Sequence, residues 1–390
     1  MHLGLALHRY GTPAYRLEEV LGQVAQRFGM QANFLATPTS ITAAFGKPDN
    51  QRVYLTRADP GEINLGKLSR LDRLTKDVVD GRVDLSTAFT AIDAIISAPP
   101  RYGDRSTTLA YGLASAAVAR LFGGGWVEMS VAGVTGLVIG ALALVAARSP
   151  RFARLFDMAA ASAAALLAAL AAHLVGPFSL HIATLAGLIV LVPGMTLTTA
   201  MTELSTNNLI SGTARLMGSA VTFLKLGFGA ALGTRLGSVW FHPGVEVAVA
   251  SPFWADWPGL AVAAVALSVI LQAEARELGW ILVVSGLGLL GLHSGTLWLS
   301  PDLGPFLAAV IVTGASNLYA RICDRNPSIT QVPATLLLVP GSVGFRSVSA
   351  LLERNVLSGM ETGFSMAITA TGLVAGTLVA GLVFPPHKSR

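Results

Sequence analysis

Leu191-Val192-Pro193-Gly194 recurs in this 390-residue chain as Leu338-Val339-Pro340-Gly341, an offset of 147 positions. The register then holds without a gap. Leu204 aligns with Leu351, Asn208 with Asn355, Ser211-Gly212 with Ser358-Gly359, Ala220 with Ala367, Thr222 with Thr369, Leu226 with Leu373 and Gly229 with Gly376. Each copy comes late in a set of about five hydrophobic segments, and an odd number of crossings turns the second copy upside down in a bilayer. The expected fold is an all-α polytopic membrane protein of about ten transmembrane helices, arranged as an inverted 5+5 repeat behind a small α+β amino-terminal domain.

Composition sets the class. Hydrophobic residues make up 53% of the chain and charged residues 13%, with a mean hydropathy of +0.61, outside the range of soluble globular domains. Charge is concentrated at the front, where residues 1–105 hold 13 of the 27 Lys and Arg and 11 of the 22 Asp and Glu. Met1 to Tyr10 has only a short apolar run, no basic leader and no small-residue cleavage site, so it does not read as a signal peptide. The front domain is therefore expected in the cytoplasm. The single cysteine, Cys323, excludes an intrachain disulfide and a cysteine-cluster metal site. The net charge of +5 reflects loop bias more than any nucleic-acid partner.

Within residues 1–103, Leu17, Val20, Leu21, Val24, Ala25 and Phe28 fall on one helical face ending at Gly29. Residues 31–37, 40–45 and 51–57 alternate like strands between turn residues and predict a small antiparallel sheet. Helices follow over 64–79 and 84–97, and Pro99-Pro100 closes the domain. Membrane segments are expected near 106–122, 126–147, 156–174, 179–201, 211–235, 257–273, 278–298, 303–321, 330–352 and 357–384. They divide into five-helix repeats over 104–240 and 241–390. With the amino terminus inside, the inner ends carry nine basic residues, Arg148, Arg151, Arg154, Arg215, Arg276, Arg321, Arg325, Lys388 and Arg390, against Arg120, Arg235 and Arg354 outside. That bias predicts both termini in the cytoplasm. Gly136/Gly140, Gly229/Gly233 and Gly372/Gly376 are small-residue pairs that let helices approach closely.

A mid-helix proline removes a backbone hydrogen bond, and a following glycine lets the chain leave helical geometry. Each Leu-Val-Pro-Gly should therefore break its helix at mid-membrane, and the freed amides and carbonyls must line a polar cavity or be covered by protein. The expected substrate-binding set is Pro193, Gly194, Thr196, Thr199, Lys225, Pro340, Gly341, Ser342 and Arg346, with Thr198 and Thr202 nearby. Arg346 aligns with Thr199 and sits about 7.5 Å along a helix from Gly341. A guanidinium there suits a substrate carboxylate; the alternative is snorkelling or pairing with Glu353. Lys225 reads as a mid-span cation with no acid at its depth. Glu128, His173, His181 and His293 map to the outer third of their helices and Glu203 to the inner side; these are the proton-coupling candidates, with interfacial solvation as the alternative. No Walker A motif, metal-ligand motif or nucleophile elbow occurs, so neither catalysis nor a metal or other cofactor is called for.

The chain resembles the threonine/serine exporter (ThrE) family in its fused two-half form. The resemblance rests on Arg9-Tyr10-Gly11-Thr12-Pro13, Ala36-Thr37-Pro38-Thr39, Val192-Pro193-Gly194, the run Leu209 to Arg215, and the run Leu338 to Arg346. It implies export of L-threonine and L-serine across a bacterial cytoplasmic membrane, driven by the proton motive force. Related two-chain versions imply a second reading, export of dicarboxylates such as succinate, which two basic residues would also fit. A third reading is a membrane-anchored metabolite sensor. Expected partners are the small-molecule substrate, protons and the bilayer, with a homo-oligomer left open.

Overall fold

The computed structural model describes residues 1–59, 61–241, 255–339 and 341–385; Pro340, Lys388 and Arg390 lie outside the described residues. The chain opens with α1 (His2–Arg9) and α2 (Ala14–Arg27), continues through β1 (Ala32–Thr37), β2 (Ser40–Phe45) and β3 (Arg52–Arg57), and adds α3 (Leu65–Val79) and α4 (Leu85–Ser97). The strands form an antiparallel sheet in the order β1-β2-β3, with Thr37 opposite Ser40 and Phe45 opposite Arg52. Helix α2 buries Leu17, Leu21 and Ala25, spaced four residues apart on one face, and Leu17 and Leu21 share a core with Ala36 and Ile41 of the sheet. Each leucine so buried contributes about 1.5–3 kcal/mol. The short apolar run before Tyr10 is itself helical, and α1 buries Ala6 and Leu7 in the same core.

That core does not stop at the amino-terminal region. It takes in Ala264, Leu271, Ala273 and Ile281 from the hydrophobic part of the chain. Polar contacts reinforce the junction: Leu65 N donates to Leu271 O at 2.9 Å, and Tyr102 and Gln272 exchange two hydrogen bonds. Gln272 holds a left-handed φ of 56° to make this turn.

The hydrophobic part comprises α5 (Asp104–Leu121), α6 (Trp126–Arg148), the one-turn α7 (Pro150–Ala153), α8 (Phe156–Val175), α9 (Leu180–Gly187), α10 (Gly194–Ser205) and α11 (Leu209–Trp240). After them come α12 (Asp256–Ile270), α13 (Leu278–Trp298), α14 (Gly304–Cys323), α15 (Ser328–Leu338), α16 (Gly341–Leu352) and α17 (Val356–Val383). Among the described residues, seven helices are long and apolar enough to cross a membrane by length and composition, with α15 and α16 counted as one. The chain is thus a polytopic, mostly helical membrane protein with one small sheet. The three expected segments outside that seven have physical reasons to be so. Helix α5 carries Asp104, Arg105 and Arg120, α12 has only 15 residues, and the α9/α10 segment is divided by its break.

The small-residue pairs do the packing expected of them. A Cβ on Gly136 or Gly140 would press on Ser115, Tyr111 or Thr108 of α5. Gly229 and Gly233 meet the backbone of α8 at Met158 and Ser162, and Gly376 meets Phe306 and Ala309 of α14. Asn317 Nδ2 donates to Phe384 O at 2.7 Å, tying α14 to the end of α17.

Candidate functional site

Both Leu-Val-Pro-Gly stretches interrupt their helices. After α9 ends at Gly187 the chain runs through turns to Pro193, which caps α10, and Leu197 N donates to Pro193 O at 3.0 Å. Helix α15 ends at Leu338, Val339 is extended (φ −67°, ψ 137°) as a residue before proline must be, and α16 begins at Gly341. The two interruptions touch each other. A Cβ on Gly194 would collide with Val339, and a Cβ on Gly341 would collide with Val192. With the 147-residue offset these are the same contact made twice, the reciprocal pattern that a two-fold relation produces.

The segments beyond the breaks repeat in detail. Asn207 and Arg354, at equivalent positions, take left-handed φ values of 63° and 65°. Asn208 N donates to Glu203 O as Asn355 N does to Ala350 O, and Gly212 packs on Leu204 as Gly359 packs on Leu351.

Below the crossing lies a cavity of about 460 Å³, within the range of small-molecule sites. One wall is α10, with Met195, Thr196, Thr198, Thr199 and Thr202, joined by Arg215 and Gly218 of α11. A second comes from the chain ahead of the other break, with Asn326, Ser328, Gln331 and Thr335. The amino-terminal region closes the third side through His8, Gly11, Thr12, Pro13, Arg16, Pro38 and Asp72. The cavity is therefore rich in hydroxyls and carries charge mainly on the amino-terminal side. Arg16 Nη2 stands 3.6 Å from Asp72 Oδ1.

Of the substrate-binding set, Thr196 and Thr199 line this cavity, and Pro193, Gly194 and Gly341 form the crossing above it. Ser342 is half-buried one residue past Gly341, and Arg346 is exposed; neither lines the cavity. Lys225 also lies outside the lining and is partnered by Asp157 at 3.5 Å. The reading that no acid shares its depth is corrected. Helices α8 and α11 pack in parallel, with Gly229 against Met158 and Gly233 against Ser162, which brings Lys225 level with the first turn of α8.

The proton-coupling candidates are held in separate places. Glu128 is buried and staples two turns, accepting from Gly125 N at 2.9 Å and Ser179 N at 3.0 Å. His173 is exposed and stacks near Phe241. His181 is half-buried, and His293 Nδ1 lies 3.0 Å from Leu289 O. Glu203 departs furthest from helix-end solvation: it is fully buried, its carboxylate accepting from Ser211 Oγ at 2.8 Å, Arg215 Nε at 3.2 Å and Ala14 N at 3.0 Å. Ala14 opens α2, so the anion also meets the positive end of that helix. Glu203 thereby ties the amino-terminal region to the helix that lines the cavity.

Sequence reading missed the amino-terminal wall. The signal was present, since Gly11-Thr12-Pro13 and Pro38 belong to the stretches that carry the family resemblance, but nothing local says they face a cavity 180 residues away in the chain. Two atoms here lack partners. His8 and Thr12 are 4% and 5% exposed, and among the described residues His8 Nδ1 and Thr12 Oγ1 make no hydrogen bond, a condition worth about 1–3 kcal/mol each. His8 Nε2 lies 3.0 Å from the Pro38 carbonyl and must be the protonated nitrogen. Burial lowers the His8 pKa from its ordinary value, opposed by the Pro38 hydrogen bond, so Nδ1 is a lone-pair acceptor.

Comparison with known proteins supplies the context. A family model described as "Putative threonine/serine exporter" matches residues 1–237, and a second, "Threonine/Serine exporter, ThrE", matches residues 258–385. Among curated proteins, those named pheromone-regulated membrane protein 10 are similar over the whole chain. The one from Candida albicans (strain WO-1) is 26% identical over 424 residues, covering 100% of this chain and 38% of its own length. The Kluyveromyces lactis protein is 26% identical, with 100% of this chain and 44% of the relative covered. The chain thus spans about two fifths of the length of these relatives. No solved structure matches.

Proposed function

Because the chain belongs to the threonine/serine exporter (ThrE) family, we propose that it is a secondary active exporter of L-threonine and L-serine. The observation that carries this reading is the cavity of about 460 Å³ beside two touching helix breaks, walled by the threonines of α10 and by Asn326, Ser328, Gln331 and Thr335. A small polar solute fits such a wall at Thr196 and Thr199; the hydroxyls of Thr198 and Thr202 already donate to Gly194 O and Thr198 O within α10.

In this reading α5, α6, α8, α9/α10 and α11 are one five-crossing repeat (104–240) and α12, α13, α14, α15/α16 and α17 its inverted counterpart (241–390), with residues 1–103 a cytoplasmic domain. The reciprocal Gly194–Val339 and Gly341–Val192 contacts support the pairing. Both termini are cytoplasmic, the cavity is the inward-facing site, and the membrane is the bacterial inner membrane. Rocking of the repeats about the crossing would exchange the inner vestibule for an outer one lined by the opposite arms, which gives Ser342 and Arg346 a place in the outward-facing state, next to Pro340. Lys225, held by Asp157, would take part only if that pair opens. Proton antiport would act through Glu203, whose partner Arg215 lines the cavity; Glu128, His173, His181 and His293 are then outer-side relays at most.

The test is transport by the purified chain in liposomes with an imposed pH gradient and a panel of threonine, serine and succinate. Exchange of threonine and serine that collapses with an uncoupler is the expected result. Succinate exchange in its place establishes the dicarboxylate reading, and saturable binding without movement establishes a sensor. Cys323, half-buried at the end of α14, reports orientation. In a Cys-reactive assay with impermeant maleimide it should react from the cytoplasmic side, and reaction from outside would reverse the topology.

A further inference from the structure

The transmembrane walls of the cavity are almost neutral. Its ionisable lining consists of Arg215, Arg16, Asp72, Tyr15 and His8, the last pushed toward its neutral form by burial. Arg215 is already engaged by the buried Glu203 carboxylate at 3.1 Å. That leaves Arg16 on α2 and Asp72 on α3, both from the amino-terminal region. Their single contact of 3.6 Å is long beside the roughly 2.7–2.9 Å of a well-made charge-assisted hydrogen bond. The guanidinium has five donors and the carboxylate about four lone-pair sites, so most of their bonding capacity is unspent.

We propose that the amino-terminal region supplies the charged half of the substrate site: Arg16 takes the carboxylate of a small zwitterion and Asp72 its ammonium, opposite the hydroxyl wall of Thr196, Thr199 and Thr202. This rests on the exporter reading and deepens it. The ligand inserts into a loose ion pair and replaces it with two closer ones, leaving the net charge of the site unchanged. A dianion gains only the Arg16 contact and faces the Asp72 carboxylate, which disfavours the dicarboxylate alternative on electrostatic grounds. His8 and Thr12 stand on the same wall with an unpartnered acceptor and an unpartnered hydroxyl among the described residues. Glu203 holds this wall in place by anchoring the first residue of α2, two positions before Arg16, to α10.

The experiment measures threonine counterflow by the full chain in liposomes for wild type, Arg16→Gln and Asp72→Asn. Each variant should raise the threonine KM by at least ~30-fold, the loss expected when one member of a charge contact is removed. Asp72→Asn should in addition strengthen inhibition by succinate, which a merely structural role for Asp72 would not do. Because these variants could lose their fold, a second measurement uses Tyr15→Cys in a Cys323→Ser background. Tyr15 lines the cavity, and threonine should slow its reaction with maleimide while leaving Arg16 and Asp72 in place. Folded variants with an unchanged KM, or an absence of protection by threonine in a protein that transports it, overturn the proposal and leave the exporter reading standing. A wild-type chain that moves neither threonine nor serine overturns both.

Discussion

In the first half of the protein the arm after the helix break, with Thr196, Thr199 and Thr202, faces the cavity; in the second half the arm before the break, with Ser328, Gln331 and Thr335, does so. Yet the arms after the breaks are the ones that match in sequence, down to the left-handed residues Asn207 and Arg354 and the glycines that seat against Leu204 and Leu351. Local conformation is thus inherited by both copies while surroundings are not. Glu203 makes the contrast plain. Its counterpart is Ala350, and of the two arms after the breaks it is the first that carries a buried carboxylate bonded to the amino-terminal region, through Ala14 N. The proposed inversion would account for this: two equal arms related by a two-fold axis in the membrane plane point to opposite sides, and a domain on one side can touch only one of them.

The comparison can be broken at several points. Glu203→Ala should have the largest effect, leaving Arg215 without its buried partner and Ala14 N and Ser211 Oγ without an acceptor. About 3–5 kcal/mol is expected, read as a fall in melting temperature and as rapid proteolysis within the first hundred residues; Ala350→Ser, at the equivalent site, should be near neutral. Arg346→Ala comes next if the outer arm binds substrate in the outward-facing state: transport should drop by at least ~30-fold with stability unchanged, and normal transport would confine arginine to a surface role.

Gly194→Ala and Gly341→Ala test the crossing itself. Each inserts a methyl against a valine of the other half, so each should cost about 1–3 kcal/mol and by similar amounts. A large difference between them in thermal unfolding would show that the contact is not reciprocal in energy. Thr199→Ala, the counterpart of the Arg346 change, removes one neutral hydroxyl worth about 1 kcal/mol and should raise the threonine KM about fivefold.

The smallest effect concerns pH. Burial holds the His8 pKa below 6.5, so its contribution to stability is complete above that value and is lost as pH falls through the lowered one. Melting temperature should therefore sag on mild acidification, and His8→Gln, whose amide can still donate to the Pro38 carbonyl, should flatten the profile.

Much of this architecture could be read in the sequence. The strands and helices of the amino-terminal region fall within one or two residues of expectation, apart from α1, because Gly and Pro punctuate them and period-2 and period-3.6 patterns do not overlap there. The breaks were legible because proline and glycine act on their own backbone. Thr196 and Thr199 followed from the break, being one turn beyond it on the same helix. Arg16, Asp72, His8 and Gln331 could not follow, since each sits on an ordinary amphipathic face and acquires a cavity only when distant segments meet. Lys225 was misjudged for the same reason: depth counted along α11 ignores how far that helix is slid against α8.

By itself the sequence determined what short-range chemistry determines: a membrane class from composition, helix breaks from Val-Pro-Gly, close helix approaches from paired glycines and a repeat from a constant offset. Tertiary structure alone decided which arm of each break faces the cavity, that the two breaks touch, and that the amino-terminal region walls the cavity with Arg16 and Asp72. Those facts depend on contacts between residues tens to hundreds of positions apart, and a side chain's identity fixes how it can bond but not what the folded chain brings within reach.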